Sequence, residues 1–472
     1  MTRASSGDSV SRPPTLSGAS VLVAGAGLAG LTAAYDLAAM GAAVTVIEAR
    51  DRVGGRVWTI RDGFAERQHA EAGGDMIDGA QHEIRQLADE LGLKLSRILR
   101  GGFGYVRPGP SGSTGSTGST RSTGSPRLVN RSVARGWDRL AERLEDLARR
   151  YRLAEQRWDS PIAADLARRS VAQWLDDERA DPELRATVTG LRGFFLADPD
   201  ELSLIALVDQ FAGSEQPGPG AMFRIVGGND RLPRALAARL GDRIQLGTEL
   251  VAVSVRGRFV HATVKRGRTS SPVTSDYLVL ALPASVLRRV PITPALPAHQ
   301  HQAIANLKYG RATKTLLQFS RRFWRAPGRP RAFGSPLPYG AIWEGNEEQA
   351  GRPGILTLLA GGTASDQTQT MVAKDGIGRF ADGLAWLGSE RAELVASRQI
   401  VWETDPLARG GYAFFDPSFD PALREWLARP AGPLFFAGEH TSIRWQGYMN
   451  GAVESGRRAA AEIAATTRLS LL

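Results

Sequence analysis

Short apolar, β-branched runs punctuate the chain, each bounded by glycine, proline or an acid. Ser20–Gly25, Ala43–Ile47 and Tyr277–Pro283 have this form, and so does the run from Pro433 that ends at Gly438 and Glu439. Such runs predict strands buried on both faces, as in a parallel sheet. Leu31–Met40, between the first two, carries apolar residues at helical spacing. Ala312–Phe319 predicts a further strand, with one lysine among apolar neighbours. The Ala-rich stretch after Gly451 predicts a helix ending near Ala465. Strand, helix and strand in this order describe an α/β fold with a Rossmann-like dinucleotide-binding unit.

Length and composition narrow the architecture. A chain of 472 residues exceeds the usual size of a single core, so two intertwined or consecutive domains are expected. With 42% hydrophobic and 23% charged residues it reads as soluble and globular. No apolar run approaches the roughly 18–20 residues that span a bilayer, so no membrane partner is expected. Residues 1–18 read as a disordered leader, because no apolar stretch follows their few charges. Gly109–Pro126 is a Gly/Ser/Thr repeat that cannot bury apolar surface and predicts a flexible loop.

The net charge of +10 does not imply a polyanion partner. Only five of the 59 basic residues are lysine, and the arginines are scattered rather than clustered, so nucleic acid is not expected. The absence of cysteine removes disulfides, thiolate nucleophiles and thiolate metal sites. It permits a reducing compartment without proving one, and a cytoplasmic location is expected. No metal site is expected either, since the six histidines lack zinc-binding spacing. His299 and His301 read as solvated residues of a Pro-rich loop. No Gly-x-Ser-x-Gly elbow supports a hydrolase.

The chemistry starts at Gly25-Ala-Gly27-Leu-Ala-Gly30. Gly25 permits a tight turn, Gly27 lets backbone approach a pyrophosphate, and Gly30 allows close helix–strand packing. Glu48, at the end of the second strand, is placed to accept hydrogen bonds from a ribose diol. The motif alone does not separate FAD from NAD. The run Glu48-Ala49-Arg50-Asp-Arg52-Val-Gly54-Gly55-Arg56 adds arginines able to neutralise a diphosphate, together with paired glycines that a merely solvated loop would not need.

This run resembles that of the flavin-containing amine oxidase family, which includes monoamine, L-amino-acid and polyamine oxidases. The resemblance continues at Ala72–Ile77, a second glycine turn containing Gly74, Asp75 and Met76, and at Ile225–Pro233. Thr248–Val253 is similar to the strand whose backbone meets the adenine, with Val251 as its contact. The C-terminal segment carries the resemblance furthest, in Gly438 and Glu439 and then Trp445–Gly456. It implies noncovalent FAD, a ribityl contact from Glu439 and a ring contact from Met449. It also implies a FAD-binding domain of 19–76, 220–290 and 400–465, interleaved with an α+β substrate-binding domain of 77–219 and 291–399.

The same resemblance assigns catalytic and substrate residues. Lys314 matches a lysine thought to assist reaction with oxygen; a buried lysine needs such a partnered role. Tyr448 matches one wall of an aromatic cage for the amine. Tyr412 stands where monoamine oxidases carry the flavin-bound cysteine, and Ala413 stands at the second cage position, so the cage is half open. Phe414 and Trp445 extend the substrate surface. Trp402 resembles a tryptophan near the ring, or is a core aromatic.

The expected reaction is oxidative deamination of a small amine, with O2 reduced to H2O2. An L-amino-acid oxidase is the alternative, because arginines such as Arg192, Arg224 or Arg444 could anchor a carboxylate. Against it, Ile77 replaces the arginine that amino-acid oxidases carry after the second glycine turn. A flavin dehydrogenase or desaturase acting on a C–C bond, and a non-catalytic flavin-bound interaction protein, are readings from other classes. A homodimer is left open.

Overall fold

The computed structural model describes residues 16–107, 127–129, 132–212, 220–326 and 329–469. The 109–126 repeat and most of the expected leader lie outside these residues. Residues 16–18, the end of the expected leader, are described. Leu16 is buried, and its N–H donates to the Met40 carbonyl, so apolar packing fixes the chain from there.

The four predicted parallel strands join a fifth, Ile244–Gln245, in one sheet in the order Ile244–Gln245, Ala43–Ile47, Ser20–Ala24, Tyr277–Leu280, Leu434–Phe436. Pairing in this order requires chain segments more than 150 residues apart. The helix Leu28–Ala39 crosses from the first strand to the second. The C-terminal helix, Met449–Leu469, packs along it and runs four residues beyond the expected end. Gly456 makes that packing close: a Cβ there would lie 2.4 Å from the Ala29 carbonyl oxygen. This small residue serves helix–helix contact.

Two further sheets complete the frame. Thr248–Arg256 pairs with Phe259–Arg266 in a four-stranded sheet. The seven-stranded sheet runs Leu394–Val401, Ala312–Phe319, Gly354–Gly361, Ala341–Glu344, Ala332–Gly334, Phe103–Arg107, Arg127–Val129. Ala312–Phe319 is thus flanked on both sides and buried along its whole length. Strands from 103–129 and 312–361 share this sheet, and Leu394–Val401 crosses position 399. His299 and His301 are exposed, but they lie on a helix, Ala298–Asn306, and not in a loop. Pro297 precedes its first turn, where its missing N–H costs nothing. No helix among the described residues is long and apolar enough to cross a membrane.

Candidate active site

A cavity of about 2140 Å³ runs from the glycine turn at the C-terminal end of the parallel sheet's central strand to the seven-stranded sheet. At one end the turn geometry follows from its glycines. Gly25 has φ 104°, and a Cβ there would sit 2.7 Å from the Ala281 carbonyl oxygen; a Cβ on Gly30 would sit 2.0 Å from the Gly25 oxygen. Gly27 differs, since a Cβ on it would meet no protein atom within 4 Å and would enter the cavity. No side chain caps the helix that starts at Leu28. Its first-turn amides and positive dipole end suit an anionic group.

Glu48 borders this turn. Its carboxylate accepts hydrogen bonds from the backbone N–H of Ala26 (2.8 Å) and Arg50 (2.9 Å), which fix it and leave acceptor capacity for a diol. Ala49 and Arg50 line the cavity, with Arg50 paired to Asp405 at 2.8 Å. Val251 reaches the cavity because the strand pairing shifts between Leu250 and Ala252, a bulge that turns one side chain outward. The residues present therefore fit a dinucleotide: a cradle at Gly27, a helix N-terminus and an oriented acid.

In the middle of the cavity Glu439 joins three segments. It accepts hydrogen bonds from Arg56 Nη1 (3.0 Å), from the Ala413 N–H (3.3 Å) and from the Gly447 N–H (2.8 Å). Arg56 also donates to the Gly411 carbonyl at 2.8 Å. Gly74 is required opposite Met449, whose sulfur would lie 2.8 Å from a Cβ at that position. Met449 opens the C-terminal helix and lines the cavity, as does Gly438. Trp402 is a core residue whose edge borders the cavity, and its indole N–H donates to the Ala72 carbonyl at 3.0 Å.

Lys314 is buried along its whole length rather than reaching solvent. Its Nζ donates to the Gly73 carbonyl (2.9 Å) and to Asp75 Oδ2 (3.0 Å). Burial lowers the lysine's pKa, and Asp75 opposes the shift. Burial would raise Asp75, but Arg224 and Lys314 outweigh it and hold the carboxylate below its usual range. Glu71 is pushed up to about 8 by burial and by the nearby Asp75. Stripping Lys314 of its partner would leave a buried charge at a cost of roughly 3–5 kcal/mol.

The aromatic residues gather beside the C-terminal helix. Tyr448 donates from its hydroxyl to Gln210 Oε1 at 2.9 Å and meets Trp445 edge-on at 5.9 Å. Tyr412 lies against Gly447, and its hydroxyl donates to the Phe194 carbonyl. Burial raises the pKa of Tyr412, with Tyr448 and Glu439 adding to the effect; burial also pushes Tyr448 up to about 12. Neither phenol is a base near neutral pH. Phe414 lines the same wall from a two-residue strand paired with Lys308–Tyr309.

Several lining residues carry no sequence signal of their own. Phe194, Phe195 and Leu196 enter because Gly193 packs against the Leu359 carbonyl; Asp209, Gln210 and Met222 enter from other segments. The adjacent pair Phe194–Phe195 was the sole hint, since neighbouring side chains rarely share one face. Ile77, in contrast, is fully buried in the core and does not line the cavity. Its apolar nature is a packing requirement and does not bear on substrate charge. Of the three arginines considered as anchors, Arg224 is held by Asp75 and Glu348. Arg192 is held by Asp198 and the carbonyls of Pro336 and Leu337. Arg444 lines the cavity over Trp445.

Comparison with known proteins agrees with this arrangement. The profile of the flavin containing amine oxidoreductase family matches residues 28–464. A provisionally named flavin-containing monoamine oxidase of Mycobacterium tuberculosis, AofH, is 30% identical over 462 residues, covering 94% of this chain and 96% of the relative. A structure of putrescine oxidase bound to putrescine superposes with a TM-score of 0.79 at 26% identity, covering 96% of this chain and all of the other. Cyclohexylamine oxidase from Brevibacterium oxydans shares the fold with a TM-score of 0.82 at 24% identity, covering 97% of this chain and all of that one. The chain belongs to the flavin-containing amine oxidoreductase family.

Proposed function

We propose that this FAD-dependent amine oxidase acts on a small primary or secondary amine lacking an α-carboxylate, with O2 as electron acceptor. FAD held there would supply the two-electron acceptor, so that amine and O2 would give an imine, which water hydrolyses, and hydrogen peroxide. The chain's own residues do the rest. Gly27 and the helix after it would receive the diphosphate, Glu48 the ribose and Glu439 the ribityl region; Met449, Trp402 and the second glycine turn would hold the ring. Tyr448 and Tyr412, with Phe414 and Trp445, bound an apolar slot for the neutral amine. Lys314 holds its ammonium at the cavity wall.

The observation that carries the substrate assignment is that Arg192 and Arg224 are already held by carboxylates. A substrate carboxylate in the aromatic slot would compete with these pairs or stay unpaired, and either is costly. Arg444 supports a second reading, an amino-acid oxidase, because no salt bridge among the described residues engages it and it borders the cavity. A matched pair decides between them. Phenethylamine should show the higher kcat/KM than L-phenylalanine, and the reverse order would overturn the assignment and point to Arg444.

The linkage of the cofactor is also testable. With no cysteine in the chain, thioether attachment is excluded, and Tyr412 at the corresponding position spends its hydroxyl on the Phe194 carbonyl. Acid precipitation should release the yellow colour into the supernatant. Colour retained in the pellet would reveal a histidine or tyrosine linkage.

A further inference from the structure

The carboxylate of Asp75 sits at the centre of a buried charge cluster. Its Oδ1 accepts from Arg224 Nε at 2.8 Å; its Oδ2 accepts from Lys314 Nζ and from the Trp343 indole N–H, both at 3.0 Å. Arg224 continues to Glu348 at 2.6 Å. These groups come from the second glycine turn, the strand Met222–Ile225, the strand Ala312–Phe319, the strand Ala341–Glu344 and the segment after it. Sequence alone places Asp75 in a turn that passes the cofactor, where a backbone contact would suffice. The structure gives its side chain a separate task.

Asp75 supplies the largest favourable interaction of the Lys314 charge, and the other groups facing it favour that charge less, disfavour it or are apolar. Its partners across the sheet, Leu359 and Ile400, are apolar. Arg224 is a like charge that disfavours the ammonium, and Glu71, itself pushed up to about 8, favours it less than Asp75 does. The Trp343 ring lies 5.2 Å from Nζ and offers a weaker attraction than a carboxylate. The Gly73 carbonyl fixes direction without charge. Trp343 and Arg224 in turn hold Asp75 in place, so the ammonium is set by a carboxylate that cannot swing away.

We propose that Asp75 is the positioning residue that keeps Lys314 protonated and fixed at the cavity wall, and so sets the pH range over which the lysine serves the reaction with oxygen. This rests on the assignment of Lys314 as the oxygen-assisting lysine.

The chain's five lysines make the charge of Lys314 directly observable. In holoenzyme labelled with 13C at lysine Cε, the Lys314 resonance is the one missing from Lys314→Met. In Asp75→Asn its titration midpoint should fall by at least about one pH unit, the size expected for losing a close opposite charge. Asp75→Glu, which keeps the charge, should recover most of that fall. Reoxidation of the reduced enzyme by O2 should then weaken with rising pH through the lowered midpoint in Asp75→Asn, at pH values where the parent rate is still flat. A purely structural role would lower Tm and leave both the midpoint and the pH profile in place; that result overturns the proposal. If Asp75→Asn does not fold, Trp343→Phe removes the indole N–H that holds Oδ2 in place and should lower the midpoint; an unchanged or higher midpoint counts against the proposal. A normal reoxidation rate in Lys314→Met would sink the oxygen role of the lysine alone, because the resonance still reports whether Asp75 holds its charge.

Discussion

Replacing Lys314 by methionine should slow reoxidation of the reduced enzyme by O2 at least about tenfold, a barrier increase of roughly 1.4 kcal/mol. Methionine approximates the length of lysine but carries no charge, so the change tests the ammonium. Anaerobic reduction by substrate should change much less, because the proposed amine slot is lined by Tyr412, Tyr448, Phe414 and Trp445 and not by Lys314 alone. Stopped-flow measurement of the two half-reactions separates them. Equal slowing of both would assign Lys314 a folding or positioning role, a real alternative given that it bridges Gly73 and Asp75. The substitution also leaves Asp75 with one cation fewer, though Arg224 and Trp343 remain on it. A moderate loss of Tm is therefore expected beside the kinetic effect.

The second large effect separates two glycines of one motif. Gly27→Val should leave the thermal midpoint of the flavin-free protein within a few degrees of the parent, since a Cβ at Gly27 meets no protein atom within 4 Å. Its φ of −69° is also open to any residue. Flavin affinity should nevertheless fall by about 10–100-fold, the equivalent of 1–3 kcal/mol of steric conflict with the ligand. Gly30→Val should instead lower both the thermal midpoint and flavin content, because its Cβ would lie 2.0 Å from the Gly25 carbonyl oxygen. Flavin titration and differential scanning calorimetry on both variants give the comparison. Undiminished flavin affinity in Gly27→Val would remove the phosphate cradle from its assigned place.

Much of the site was legible because its chemistry is carried by local backbone geometry. Gly25, Gly27, Gly30 and Glu48 lie within one strand–helix–strand unit, where a tight turn and an acid at strand end have few other uses. The apolar strands were legible for the same reason, since burial on both faces leaves a continuous apolar run. Lys314 could be picked out as anomalous by the cost of burying an ammonium, but no local rule names its partner. Asp75 lies 239 residues away in sequence. Ile77 could be aligned by motif with the arginine of amino-acid oxidases, but that its side chain lies in the core is visible only in the structure. Helix 298–306 was read as a loop because its prolines mark a boundary without saying which side continues as helix.

By itself, then, the amino-acid sequence determined the dinucleotide-binding unit, the amine oxidase family likeness and the absence of any thiol chemistry. These depend on residue type and short-range spacing. Only the tertiary structure decided which charges are already spent: Arg224 and Arg192 on carboxylates, Arg56 on Glu439, and Asp75 shared among Lys314, Trp343 and Arg224. The reason is electrostatic. In a buried site the energy of a charge depends on its nearest partners within a few ångströms, and here those partners are brought together from strands hundreds of residues apart.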